Sequence, residues 1–129
     1  MNRQILFKAK KKDNGEWVEG GYFSEPYTEK KFIICWNSFG LGFNEFIEVD
    51  PDTICQFTGL TDKNGKKIWE NDIVELPDEN VYFKCEWEKD TARFVLNGDR
   101  FTVDFDDYRE YEVEVIGNIF DNADLLEVE

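Results

Sequence analysis

Along most of the chain, apolar and polar residues alternate with the two-residue period of β-strands. Ile5, Phe7 and Ala9 start one such stretch, and Trp17-Val18 and Tyr22-Phe23 flank a glycine pair in the next. Phe32-Ile-Ile-Cys-Trp36 is a continuous apolar run, the pattern of a well-buried strand. Phe46 to Val49 predicts a short strand, Thr53 to Thr58 alternates again, and Lys67 to Trp69 leads into Asp72 to Leu76. Between 81 and 87, Val81, Phe83, Cys85 and Trp87 fall on one face and Tyr82, Lys84 and Glu86 on the other. Arg93 to Leu96, Phe101 to Val103 and Glu112 to Phe120 complete the series, and Gly117 inside the last predicts a bulge or a close backbone approach.

The punctuation between these stretches is that of tight turns. Asp13-Asn-Gly15 and Asp62-Lys-Asn-Gly65 offer the residues that tolerate positive φ, and Asn97-Gly98-Asp99 reads as an Asn-Gly hairpin. Asp50-Pro-Asp52 predicts a turn, and Pro77 to Asn80 ends a strand. Asn37 to Asn44 is glycine-rich and predicts a loop. No eleven-residue segment carries a helical apolar stripe, so helix is confined to single turns at Asp106–Glu110 and Asn122–Leu126. The fold class expected is mainly β, a small barrel, with a second half of SH3-like strand number and length.

Charge refines this picture. The 129 residues include 29 Asp or Glu, 15 Lys or Arg and no His, for a net charge of −14. Without His there is no Ser-His or Cys-His couple and no imidazole metal site. The negative charge disfavours attraction to nucleic acid or anionic membrane, while 41% hydrophobic and 16% aromatic residues are too many for a disordered acidic tail. Residues 1–69 carry ten basic and ten acidic side chains, whereas residues 70–129 carry five and nineteen, so the entire excess lies in the second half. We therefore expect a β-rich portion over 1–61 and an acidic barrel portion over 62–129, forming one compact unit. Cys35, Cys55 and Cys85 are widely spaced, odd in number and set among apolar residues, which predicts three buried thiols. No apolar run is long enough to span a bilayer, and the N-terminus has only three consecutive apolar residues ahead of its lysines. A cytoplasmic protein is expected.

Specific residues carry a family resemblance. Asp50-Pro-Asp-Thr-Ile-Cys-Gln-Phe-Thr-Gly-Leu-Thr-Asp-Lys-Asn-Gly-Lys-Lys-Ile-Trp-Glu-Asn-Asp-Ile-Val74 closely resembles the central signature of the YopX family of phage and prophage proteins. Glu114-Val-Ile-Gly-Asn-Ile-Phe-Asp-Asn-Ala-Asp-Leu-Leu126 matches its C-terminal motif, and Phe7-Lys-Ala, Gly15-Glu-Trp-Val and Gly21-Tyr-Phe its N-terminal pattern. The chain departs from the family at Lys10, where an aromatic is usual, at Cys55, where a small residue is common, and at Glu70-Asn71-Asp72, where Glu-Gly-Asp is usual. Asn is the residue other than Gly that best accepts left-handed φ, so the turn at Asn71 should survive. The resemblance implies a mostly β protein with an SH3-like portion, encoded by a phage or prophage. It implies no activity.

The candidate functional residues each have a structural counter-reading. Thr58-Gly-Leu60 and Asp62–Gly65 supply turns, Trp69 and Ile73 look like core, and Asp72 braces the turn before its strand; a binding role for Asp72 or Gln56 is the alternative. Asp104, Asp106, Asp107 and Glu110 form the densest acidic run, readable as a solvated face, a DNA-mimicking stripe, or a cation site lacking the glycine and distal Glu of an EF-hand. Lys8, Lys10, Lys11 and Lys12 suit protection of an edge strand, a weak nucleic-acid contact, or a contact with the acidic half of a neighbouring subunit. Phe39, Leu41 and Phe43, spaced by glycine, are hard to bury in a small domain and form the expected protein-contact surface. No carboxylate pair has the apolar setting or accompanying nucleophile of a catalytic site. The expectation is a non-enzymatic phage or prophage accessory protein without cofactor or metal. It would bind protein, of host, phage or its own kind, and self-associate. The alternatives are an acidic DNA mimic that inhibits a host nucleic-acid-binding protein and a weak nucleic-acid binder through Lys8–Lys12.

Overall fold

The computed structural model describes residues 5–36, 44–76, 82–98, 102–104 and 113–126. Among them the fold is mainly β: two antiparallel sheets, with helix confined to single 3₁₀ turns at Pro51–Thr53 and Ala123–Leu126. The chain divides into two compact units, residues 1–57 and 58–129. Of the expected loop at 37–44, residues 37–43 lie outside the described residues, as does the helical turn at 106–110, while Asn44 opens a strand instead.

The first unit begins with β1 (Phe7–Lys10) and β2 (Trp17–Ser24), joined by the turn expected at Asp13-Asn14-Gly15. Gly15 has φ +74° and donates its N–H to the Lys11 carbonyl, and the Asn14 side chain accepts from the Glu16 N–H. Strands β3 (Lys31–Trp36) and β4 (Asn44–Val49) follow, and β5 (Cys55–Thr61) returns to pair Cys55 and Gln56 with β1. Asp50 caps the 3₁₀ turn between β4 and β5, its side chain accepting from Asp52 N–H.

One strand does two jobs here. Residues 17–20 of β2 pair with β1, and residues 21–24 pair with β3. The change of partner falls at Gly20-Gly21, where a Cβ on Gly20 would overlap the Ile34 carbonyl. Glycine is the residue that permits such a corner. The bend brings the far edge of the sheet round: Lys11 bridges to Val49, Lys12 N–H donates to Glu48 O, and Asp50 N–H to Lys10 O. The result is a curled, partly closed sheet with Ala9, Ile33 and Val49 inside, each at most 1% exposed.

Residue phase corrects two expectations. The apolar run 32–36 is not buried throughout: Ile33 points into the core, while Phe32 lies on the opposite face against Phe23 and Phe46. Ile5 precedes the pairing of β1 and is 65% exposed, and Leu6 takes the buried position instead.

The second unit holds the end of β5 together with β6 (Lys67–Trp69), β7 (Asp72–Glu75), β8 (Tyr82–Glu88), β9 (Arg93–Asn97), β10 (Thr102–Asp104) and β11 (Glu114–Asn118). Five of these form a sheet in the order β10-β9-β8-β7-β11, an arrangement compatible with a small barrel but not closed among the described residues. Its core contains Ile68, Val74, Leu76, Phe83, Cys85, Leu96 and Val113. Trp69 and Ile73 are buried as expected, and Asn71 occupies the left-handed region at φ 73°. The register shifts between Val115 and Gly117, the bulge expected there, and a Cβ on Gly117 would collide with the Asn122 side chain.

Three local readings change. Asn97 pairs with Thr102, so the connection spans 98–101 rather than a two-residue Asn-Gly turn. A Cβ on Gly98 would come within 2.5 Å of the Phe83 ring, so glycine serves packing there. Gly59 lies inside β5 with φ +91°, not in a turn. Trp87 shares the parity of Phe83 and Cys85 but is 46% exposed, because the β8–β9 hairpin runs past the core and leaves it stacked edge-on against Phe94.

Replacing Gly20 with Ala should destabilise the protein by about 3 kcal/mol, since a backbone carbonyl, not a flexible side chain, must give way. Urea unfolding followed by Trp fluorescence measures this. A loss within about 0.5 kcal/mol would mean that the corner is not tight.

Candidate functional site

Strand alternation sorts the first unit into a filled face and an open one. On the open face, Phe23 of β2 sits across from Phe32 of β3, and Phe46 of the edge strand β4 lies across from Ile34. The three rings touch one another: Phe23–Phe46 at 5.8 Å and Phe32–Phe46 at 6.4 Å between centroids, both edge to face, and Phe23–Phe32 at 6.3 Å. Edge-to-face pairs of this kind are mutually attractive and hold their members in fixed orientation. Yet Phe46 remains 54% exposed and Phe23 39%. Rings that are packed against each other and still wet make a preformed apolar surface.

Glu48 borders these rings as the register partner of Phe32, and further charged residues lie on the outer side of β1 and β2. Trp17 lies on the same side of β2 as Phe23, and the Lys8 and Lys10 ammonium groups lie 4.5 and 5.4 Å from its ring centroid. Such cation–π contacts hold lysine stems flat along the sheet. Glu48, two residues after Phe46, pairs with Lys12 at 3.2 Å. Lys11 lies 3.9 Å from Glu16. The lysine cluster is thus laid against Trp17 and neighbouring carboxylates in the hairpin and the β1–β4 closure.

Two carboxylates of the second unit, Asp62 and Asp72, are buried and bound to backbone. Asp62 is 4% exposed; its Oδ1 accepts from Asn64 and Lys66 N–H, and its Oδ2 from Val115 N–H on β11. Burial alone would raise its pKa, but these donors and the Lys66 charge hold the carboxyl below its ordinary value. Asp72, 3% exposed, accepts from Trp69 N–H at 2.8 Å and braces the turn at Asn71 as expected. Burial would also raise Glu86, yet its bonds to Lys84 and Asn97 lower it. Gln56 sits in β5 opposite Phe7.

The cysteines are all thiols. Cys55 and Cys85 are buried as expected, while Cys35 is only half-buried, and burial together with Glu45 raises its pKa. Among the described residues no cluster of three or more His, Cys, Asp or Glu could hold a metal ion. Asp104 lies in β10 opposite Val95. Asp106, Asp107 and Glu110 are outside the described residues, as are Phe39, Leu41 and Phe43. The paired residues Trp36 and Asn44 bracket the segment that holds the last three. The Phe23–Phe32–Phe46 cluster was missed in the sequence because Phe32 sits within an uninterrupted apolar run.

This fold and this ordered set of turn residues define a mainly β protein built of two sheet-forming units. The chain belongs to the YopX family: the family described as YopX protein matches residues 6–127. Its structure is similar to the crystal structure of protein EF1440 from Enterococcus faecalis, with a TM-score of 0.61 and 25% sequence identity over 98% of this chain and 100% of that one. No curated protein sequence matches the chain. Among the described residues no helix is long and apolar enough to cross a membrane.

The Asp62 geometry fixes a pH dependence. Its folded pKa is depressed, so its contribution is complete above the unfolded value, ordinarily 3.8, and is lost as pH falls through the lower folded value. Asp62→Asn should cost about 2 kcal/mol at pH 7 and flatten the decline in stability below pH 3.8. Thermal melts of both proteins across acidic pH measure it, and parallel curves would show that Asp62 does not carry this dependence.

Proposed function

We propose that the chain is a phage or prophage accessory protein of the host cytoplasm that works by binding protein, its own kind included, and not by catalysis. The observation that carries this reading is the preformed cluster Phe23–Phe32–Phe46, exposed on one face of the first unit. Aromatic residues already packed in place lose little side-chain entropy on contact, and they are the residue types that anchor protein interfaces. Protein is favoured over nucleic acid because the chain carries −14 overall and because Lys10, Lys11 and Lys12 are held by Trp17, Glu16 and Glu48. The expected contact residues Phe39, Leu41 and Phe43 belong in sequence to the segment between β3 and β4, the strands that carry Phe32 and Phe46.

The acidic-mimic reading keeps a basis in composition, since residues 58–129 hold twenty acidic and eight basic side chains. Two of those twenty, Asp62 and Asp72, are buried in backbone hydrogen bonds and unable to imitate phosphates.

Affinity capture from nuclease-treated lysate of a bacterial host, comparing the wild type with Phe46→Ser, tests the reading. Capture of protein that withstands raised salt and is lost in the variant is expected. An identical set of captured proteins from both baits, or capture abolished by nuclease, would overturn it.

A further inference from the structure

The chain carries three Asn-Gly pairs: Asn14-Gly15, Asn64-Gly65 and Asn97-Gly98. Asparagine before glycine can lose its side-chain amide without an enzyme, because glycine has no Cβ to crowd the approach of its own nitrogen to the asparagine Cγ. The reaction needs a side-chain amide free to turn, a backbone N–H free to lose its proton, and room for the two to meet. The fold treats the three pairs differently.

Asn97-Gly98 is locked. The Asn97 amide donates to Glu86 at 2.9 Å and its oxygen accepts from the Thr102 hydroxyl at 3.1 Å, while a Cβ on Gly98 would come within 2.5 Å of the Phe83 ring. Asn14-Gly15 is held at both reacting groups: Asn14 Oδ1 accepts from Glu16 N–H and Gly15 N–H donates to Lys11 O, each at 2.9 Å. Asn64 and Gly65 are exposed, and Asp62 accepts from the Asn64 backbone N–H, so no bond among the described residues restrains the Asn64 side-chain amide. Only the bond from Gly65 N–H to Asp62 O, 3.0 Å long, has to open, and a Cβ on Gly65 would meet nothing within 4 Å. Exposed turns open locally at low free-energy cost.

Flanking charge points the same way. Lys63 and Lys66 stand on either side of Asn64-Gly65, whereas Asp13 and Glu16 flank Asn14-Gly15 and Asp99 follows Gly98. Ammonium groups favour the deprotonated nitrogen that attacks, and carboxylates oppose it.

We propose that Asn64 is a site of spontaneous deamidation that loosens the hold of the Asp62 turn on β11. The Gly65 nitrogen loses its proton and bonds to Asn64 Cγ; the Cγ–Nδ2 bond breaks, and the amide nitrogen leaves as ammonia with that proton. Water then opens the resulting cyclic imide at either carbonyl, leaving aspartate or isoaspartate, and nothing is oxidised or reduced. Asp62 accepts from Asn64 and Lys66 N–H through Oδ1 and from Val115 N–H on β11 through Oδ2. Isoaspartate carries the main chain through the former side chain and so inserts a carbon between the two Oδ1 donors. Aspartate instead adds a second negative charge to the turn. Both products weaken the grip, isoaspartate the more.

Peptide mapping by mass spectrometry of the folded full chain, aged in mildly alkaline buffer, is the test. Amide loss at Asn64 should run roughly tenfold ahead of that at Asn14 and Asn97, with isoaspartate among the products. The aged wild type should gain a lower melting transition, and Asn64→Gln, aged alongside, should not, because its longer side chain closes the ring poorly. The Asn64 side chain is exposed, so that variant should match the fresh wild type in circular dichroism and melting temperature. Amide loss first at Asn14 or Asn97, equal rates at all three, or modified protein that melts as the fresh protein does would overturn the proposal.

Discussion

Gly20 has no Cβ, and in the space a Cβ would fill stands the carbonyl of Ile34. That contact is where β2 leaves β1 and takes up β3. Everything distinctive in the first unit follows from the turn it permits. A flat sheet of these short strands would leave its edges open and one face uncovered. Bent at Gly20, the sheet brings Lys11 against Val49 and encloses Ala9, Ile33 and Val49. Enclosing those residues sets the phase of β3, and that phase leaves Phe32 outside with Phe23 and Phe46. The exposed aromatic face is thus a consequence of how the core is closed.

In the second unit the corresponding task falls to a carboxylate. Asp62 joins its own turn to β11, fifty-three residues away, through three backbone N–H donors. A buried ion with several charge-assisted bonds holds one geometry better than an apolar contact, which can slide. Some of the acidic excess of this unit is therefore architecture. The net charge of −14 describes solubility and repulsion between molecules, but it does not by itself describe a surface.

Features encoded within a few residues were legible in the sequence. The Asp13-Asn14-Gly15 turn, the left-handed Asn71, the bulge near Gly117 and the bracing Asp72 each depend on local backbone chemistry. What escaped depends on distant partners. The run 32–36 contains no polar residue to mark its phase, so the outward Phe32 could be found only through its neighbours in β2 and β4. Gly98 looked like a turn residue, yet it is required by the Phe83 ring on another strand. Trp87 followed the alternation of β8 faithfully, but alternation does not tell where the core ends.

Binding through the aromatic face requires that Phe23 and Phe46 be open in the single chain and covered on self-association. Hydroxyl-radical footprinting read by mass spectrometry, across a dilution series of the wild type, addresses it residue by residue. Phe23 and Phe46 should be labelled at low concentration and protected at high concentration, while Phe83, 1% exposed, stays protected at every concentration. Phe46 as protected as Phe83 at the lowest concentration, or labelled equally throughout the series, would contradict it.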